Sequence, residues 1–352
     1  TKKLMGFVTD AGGATSHTAI IASGLGMPAV VGLEDITSHV SGGDTLIVDG
    51  LHGVVVINPD EAQRREYAAQ AEHLLEMRRT LEDIRELRAE TRDGTVVSLM
   101  GNIEFPSEVH ECLERGAEGI GLYRTEFLFM QGENIPSEDE QYEAYRTAVE
   151  AVNGKPLVLR TMDLGGDKWK GPGAWEPEKN PFLGLRSIRY SLQHLEMFRP
   201  QLRAIVRASA KGDVRIMFPL ISRIMELRQA KYVLNMVIEE LEEEGYDFAP
   251  KIPVGLMIET PAAAICARTL AQEADFLSIG TNDLVQYTLA VDRTNERVAQ
   301  LYTPTDPSVI RLIAGVISEA AAAGKPVSLC GEVGGDPLFT ILLVGLGLRS
   351  LS

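Results

Sequence analysis

Cysteine is scarce in this chain of 352 residues, which carries three, Cys112, Cys266 and Cys330. Their odd number, wide spacing and lack of any Cys-x-x-Cys exclude a disulfide framework and a thiolate zinc site, leaving free thiols. Aromatic residues are thin at 6%, with two tryptophans, yet hydrophobic residues make up 45%. That is enough for a full core in a chain long enough for about two domains. No apolar run approaches the roughly 20 residues a membrane-spanning helix needs, and no charged start, apolar stretch and small-residue cleavage site follow one another. A cytoplasmic protein is the expectation. Cationic charge is in deficit: 34 Lys and Arg against 50 Asp and Glu leave a net charge of −16. Such a surface repels a phosphate backbone, which argues against nucleic acid as partner, while a small anionic substrate stays open wherever arginines cluster. The chain starts at Thr1 and stops just after Arg349-Ser350-Leu351, a strand about to begin, so a fragment of a longer protein is expected.

Short apolar runs alternate with turn residues over 1–58. Leu4 to Thr9, Ala29 to Val31, Thr45 to Asp49 and Val54 to Ile57 read as strands and His17 to Leu25 as a helix, a small α/β unit. From 60 to 90 Gly and Pro vanish, charges crowd in, and Tyr67, Ala71, Leu74, Leu81, Ile84 and Leu87 keep a period of three to four. This pattern predicts one long amphipathic helix linking two domains, its charges a solvated face. After residue 95 a strand-then-helix rhythm sets in, with apolar strands at Val96 to Gly101, Gly119 to Tyr123, Pro156 to Leu159, Val214 to Phe218, Pro253 to Ile258, Phe276 to Ile279 and Val327 to Leu329. Seven such strands and an eighth just beginning predict a (β/α)₈ barrel truncated at its last strand. A doubly wound open sheet would want a glycine-rich fingerprint after its first strand, and Gly101-Asn102-Ile103 is not one. The expected division is therefore a partial small domain at 1–58, a linker helix at 59–93 and a partial barrel at 94–352.

In a barrel of this kind the active site lies at the C-terminal ends of the strands. The residues there are Tyr123-Arg124-Thr125-Glu126, Arg160-Thr161-Met162-Asp163, Glu259-Thr260-Pro261, Gly280-Thr281-Asn282-Asp283 and Cys330-Gly331-Glu332. Arginine's planar fork matches phosphate and carboxylate, so Arg124 and Arg160 suit a small phosphorylated acid. Each could instead pair with a nearby acid such as Glu126 or Asp163; convergence on one rim favours the ligand. Glu259 and Asp283 suit a hard cation such as Mg²⁺, which is commonly held by one or two carboxylates together with substrate oxygens and water. Cys330 reads either as small-residue packing or as a proton donor, since a thiol is mostly protonated at neutral pH. His17 stands in GGATSHTAII, where Gly12-Gly13 allow a tight turn and Thr15-Ser16 can cap a helix. A helix N-terminus disfavours imidazolium and stabilises a phosphoryl group on the ring, making His17 a candidate neutral nucleophile. Taken alone the motif leaves a core or surface histidine open, the reading that suits His39, His52, His73, His110 and His194.

GFVTDAGGATSHTAII, GLYRTEFLFM, RTMDLGGDK, NPFLGLRSIR, RIMFPLI, ETPAAA, SIGTNDLVQYTLAVDR and CGE resemble, in order and along the whole chain, enzyme I of the phosphoenolpyruvate:sugar phosphotransferase system. The resemblance implies a swivelling phosphohistidine domain, a linker helix and a phosphoenolpyruvate-binding barrel. It implies phosphorylation of His17 and release of pyruvate, with Arg124, Arg160, Arg186, Asn282 and Arg293 holding phosphoenolpyruvate. It assigns Glu259 and Asp283 to Mg²⁺ and Cys330 to protonation of the enolpyruvate carbon. The histidine phosphocarrier protein HPr is the implied acceptor, and dimerisation through the barrel is implied for the parent. Ala14 and Ser23 stand where family members often carry Arg, and the HPr-docking helical domain is absent. The nearest rival is a pyruvate phosphate dikinase or phosphoenolpyruvate synthase, fed by ATP; RTMDLGGDK and LYRTEFLFM favour enzyme I, sugar-transporting or nitrogen-regulatory. A non-catalytic barrel that senses phosphoenolpyruvate is the rival of another class, and retention of His17 and both metal ligands speaks against it.

Overall fold

A computed structural model describes residues 4–11, 27–130, 134–165, 178–295 and 297–352, with the side chain of residue 78 left out. His17, Ala14, Ser23 and the helix expected at 17–25 lie outside the described residues. The chain divides into two compact units, 1–86 and 87–352.

In the first unit, β1 (Phe7–Val8) pairs in parallel with β2 (Ala29–Val30), and β3 (Leu46–Asp49) pairs antiparallel with β4 (Val54–Ile57). The Asp49 carboxylate builds the intervening turn by accepting from the backbone N–H groups of Leu51 and His52. A helix at Glu61–Ile84 starts on a capping box: Asp60 accepts from the Gln63 N–H at 2.8 Å, and Gln63 accepts from the Asp60 N–H at 3.0 Å. Two otherwise orphaned donors are thus satisfied. The periodicity predicts this helix as far as residue 90, but it ends at Ile84. The difference has a cause in the next unit, where Glu90 bridges Val96 in antiparallel fashion, the Val97 N–H donates to the Ala89 carbonyl, and Gly94 turns the chain at φ +84°. Backbone groups that would have extended the helix are spent on a hairpin.

The second unit is a parallel ring. Its strands are β5 (Ser98–Leu99), β6 (Gly101–Ile103), β7 (Ile120–Arg124), β8 (Leu157–Arg160), β9 (Val214–Phe218), β10 (Val254–Ile258), β11 (Phe276–Gly280), β12 (Val327–Cys330) and β13 (Ser350–Leu351). Their order is β5-β13-β12-β11-β10-β9-β8-β7-β6. β5 and β6 are separated by Met100 alone and act as one stave, joined to β13 on one side and β7 on the other. The ring therefore closes. The last strand, β13 (Ser350–Leu351), pairs with β12 on one side and β5 on the other.

Strands buried on both faces explain the near-continuous apolar runs: β10 and β11 are buried at every position. Inside the ring, Leu122, Val158, Met217, Met257, Phe276 and Cys330 form one packed cluster. Outside it, residues such as Leu159, Ile216 and Leu256 pack beneath the helices.

Gly255 and Phe276 are register partners on β10 and β11, and a Cβ on Gly255 would lie 2.4 Å from the Phe276 ring. The glycine makes room for the aromatic that fills this part of the barrel. Gly255→Val should destabilise the chain by about 1–3 kcal/mol through overpacking, read as a lower urea midpoint with an unchanged slope.

Candidate active site

Each functional side chain sits where a buried strand ends and the chain turns. Arg124 and Arg160 are the last residues of β7 and β8 and are register partners. Glu259 follows β10. The helix Thr281–Leu289 starts directly at the end of β11, which places Asn282 and Asp283 in its first turn. Cys330 ends β12 and is 2% exposed.

At the centre is Asp163, three residues beyond Arg160. One carboxylate oxygen lies 3.1 Å from Arg160 Nη1 and the other 2.9 Å from Arg186 Nη2. Arg160 also pairs with Glu126, and Arg186 Nη2 reaches Asp283 at 3.3 Å. All five groups are buried. Burial works against both guanidinium cations, and Glu126 and Asp163 for Arg160, and Asp163 and Asp283 for Arg186, more than offset it, holding both above the ordinary arginine range. For Asp163 burial favours the neutral acid, but Arg186 and Arg160 win and hold its carboxyl well below the usual carboxylate range. The pairing of arginines with nearby acids and their convergence on one rim thus hold together.

Glu259 differs. It is 2% exposed, and its carboxylate accepts from the Leu220 N–H at 2.5 Å. Burial, then the negative charges of Asp283 and Asp163, push its carboxyl up to about 8 against the opposing pull of Arg160 and Arg186. Among the described residues no group of three or more His, Cys, Asp or Glu side chains forms a metal cage. Two carboxylates with a surplus of negative charge nevertheless fit a hard divalent cation whose other ligands are substrate oxygens and water.

Arg124 Nη1 pairs with Glu104 at 2.8 Å, and burial, against the pull of that guanidinium, raises the Glu104 carboxyl above its ordinary value. Asn282 and Arg293 converge on Glu332, just past the thiol: Asn282 donates to its side chain at 3.3 Å and accepts from its N–H at 3.1 Å, while Arg293 lies 3.6 Å away. Burial pushes the Cys330 thiol up, with the Ser278 hydroxyl and Arg160 opposing. The structure brings Arg160, Arg186, Glu259 and Asp283 into one cluster and places Arg124, Asn282, Arg293 and Cys330 on the same rim. His17 lies outside the described residues.

Several supporting residues escape a sequence reading. Thr125 donates to the Arg160 carbonyl at 2.7 Å, and Gln201, 1% exposed, donates to Thr125 at 3.0 Å and accepts from the Met162 N–H at 2.9 Å. The ends of β7 and β8 are thereby tied together from behind. Tyr287, one helical turn beyond Asp283, accepts from Arg186 at 3.3 Å and donates to the Phe182 carbonyl at 2.5 Å. Only that i, i+4 spacing could have pointed to it. Leu220 holds φ +52° while 1% exposed, a conformation bulky residues avoid, and nothing in a leucine announces it. Arg160 Nε, Arg186 Nε and Glu126 Oε2 are buried without a hydrogen-bond partner among the described residues, so the cluster has polar capacity to spare.

Asp163→Asn should cost about 3–5 kcal/mol of stability in urea denaturation, because two buried guanidinium groups lose their shared anion. A second expectation concerns pH. Glu259 keeps its proton in the folded state where the unfolded chain has already lost it, so stability without divalent cations should fall as pH rises from about 5 through about 8. Denaturation midpoints in EDTA check this, and Glu259→Gln should flatten that part of the profile.

Residues 78–352 match the family model described as "PEP-utilising enzyme, PEP-binding domain", and residues 1–53 that described as "PEP-utilising enzyme, mobile domain". The chain is 48% identical over 352 residues to the phosphoenolpyruvate-protein phosphotransferase of Latilactobacillus sakei, covering 100% of this chain and 61% of that protein. It is 47% identical over 349 residues to the one from Staphylococcus carnosus (strain TM300), covering 99% and 61%. For that of Geobacillus stearothermophilus the identity is 49% over 354 residues, covering 99% and 60%. The chain thus spans about three fifths of the length of these relatives.

Proposed function

The chain belongs to the PEP-utilising enzymes, and from that premise we propose that it carries the phosphoryl-transfer machinery of a phosphoenolpyruvate-protein phosphotransferase. The observation that carries this reading is the buried cluster of Arg160, Arg186, Asp163, Glu259 and Asp283 at the C-terminal rim of the barrel. It combines guanidinium forks for a phosphate and a carboxylate with a carboxylate pair for a cation. We read 1–58 as a phosphohistidine domain, 59–93 as the linker and 94–352 as the phosphoenolpyruvate-binding barrel.

In this reading Arg124, Arg160, Arg186, Asn282 and Arg293 bind phosphoenolpyruvate, their fixed donors replacing its water shell. Mg²⁺ held by Glu259 and Asp283 would neutralise charge on the phosphoryl oxygens. The neutral His17 ring nitrogen attacks phosphorus in line, the phosphorus bond to the enolpyruvate oxygen breaks, and that oxygen keeps the electron pair. Cys330 then gives its proton to the methylene carbon, and pyruvate leaves. The phosphoryl group passes from His17 to an acceptor protein, for which HPr in sugar uptake is the proposal, since the relatives' names specify a protein acceptor. Those names favour this reading over an ATP-fed dikinase or synthase. No helix among the described residues is long and apolar enough to cross a membrane; a cytoplasmic enzyme that dimerises through its barrel is the fuller proposal.

The test is incubation of the chain with phosphate-labelled phosphoenolpyruvate and Mg²⁺. Acid-labile, base-stable label should appear on the protein together with pyruvate, and His17→Ala should carry none. Label retained by that variant would refute the assignment. Cys330→Ala should slow pyruvate formation far more than it weakens substrate binding.

A further inference from the structure

The inside of the barrel beneath the rim is apolar, packed by Leu122, Val158, Met217, Met257 and Phe276 around Cys330. Ser278 interrupts this pattern. It lies two residues after Phe276 on β11, on the same face of the strand, and is 1% exposed. A buried hydroxyl in such a layer needs a hydrogen-bond partner. Its partner is the thiol: Ser278 Oγ lies 3.3 Å from Cys330 Sγ. The neighbouring Ser328 hydroxyl is turned elsewhere, to the Leu277 carbonyl at 3.4 Å. Cys330 Sγ in turn lies 3.7 Å from the Ile279 carbonyl, so the sulfur has an acceptor for its own proton and a donor aimed at its lone pair.

We propose that Ser278 is a positioning residue for the thiol, stabilising the sulfur after its proton has been given away. The role rests on the proposed protonation of enolpyruvate by Cys330. In that step the S–H bond breaks and its electron pair stays on sulfur. The enolate's carbon–carbon π pair forms the new C–H bond, and the enolate oxygen becomes the ketone oxygen of pyruvate. The product side therefore holds a thiolate inside an apolar barrel, where an anion is poorly solvated. At that moment the Ser278 O–H···S contact changes from neutral to charge-assisted, and such hydrogen bonds are roughly twice as strong. The hydroxyl thus favours the transferred state over the resting one, the condition for accelerating a step. Water later restores the proton to sulfur. Arg160 contributes a more distant positive charge from the same rim.

Two measurements test this in the whole chain. In a Cys112→Ser, Cys266→Ser background Cys330 is the one remaining thiol, and its S–H stretching band can be read by Raman spectroscopy. The band should shift in Ser278→Ala and return in Ser278→Thr; an unmoved band overturns the contact. In single turnovers with phosphoenolpyruvate and Mg²⁺, Ser278→Ala should lower the rate constant for pyruvate formation about tenfold, with the half-saturating substrate concentration within about twofold of wild type. Ser278→Thr should recover most of the rate. Wild-type turnover with an indifferent Ser278→Ala overturns the role alone. A wild type that forms no pyruvate removes the phosphotransferase reading and this role with it.

Discussion

One carboxylate organises the barrel's working face. Asp163 holds Arg160 with one oxygen and Arg186 with the other, and both guanidinium groups are buried. Taking several charges out of water is costly, and the cost is offset only when each finds a partner in good geometry. Asp163 supplies that partner twice, which lets two cations lie close together at the ends of strands. Glu126 and Asp283 also pair with the arginines and take the acids one negative charge past neutrality, which together with burial favours the protonated form of Glu259. The imbalance is local and chemically useful. Two arginines face three acids, Glu126, Asp163 and Asp283, so the cluster carries one surplus negative charge before Glu259 ionises and two afterwards, which suits the proposed uptake of a divalent cation.

Much of this was legible in the sequence because barrels place chemistry by rule. Strands buried on both faces announce themselves as apolar runs, and the polar residue after each run falls on one rim. Arg124, Arg160, Glu259, Asp283 and Cys330 were found in that way. What escaped was whatever depends on backbone shape or on packing between distant segments. Leu220 contributes through its N–H, held in a left-handed conformation that costs a bulky residue about 1–2 kcal/mol. Gln201, a long way along the chain from Arg160, reaches the ends of two strands through its amide. The helix at Glu61–Ile84 stops short of its periodic pattern because residues 89 and 90 find strand partners instead. Periodicity reports a side chain's preference for a face, not the competing claims on its backbone.

In the proposed reaction the thiol meets opposed demands in one environment. Burial disfavours the thiolate and keeps Cys330 protonated in the resting site, while Ser278 and Arg160 ease the loss of that proton. A free cysteine in water would be a weaker compromise, more ionised at rest and more open to oxidation. Cys112 is partly buried and Cys266 exposed, so the two thiols away from the rim lack this enclosure.

The ring is joined at one seam by segments from far apart in the sequence. On one side β10 and β11 share four consecutive register pairs, whereas β13 meets β5 through two and β12 through one. At that seam the Ser98 N–H donates to Arg349 O and the Met100 N–H to Leu351 O, both at 2.8 Å, and the Ser352 hydroxyl holds the Gly101 carbonyl at 3.1 Å. The seam lies between the staves that carry Cys330 and Arg124, so residues 98–101 and 349–352, far apart along the chain, together hold the thiol's side of the rim beside the arginine's.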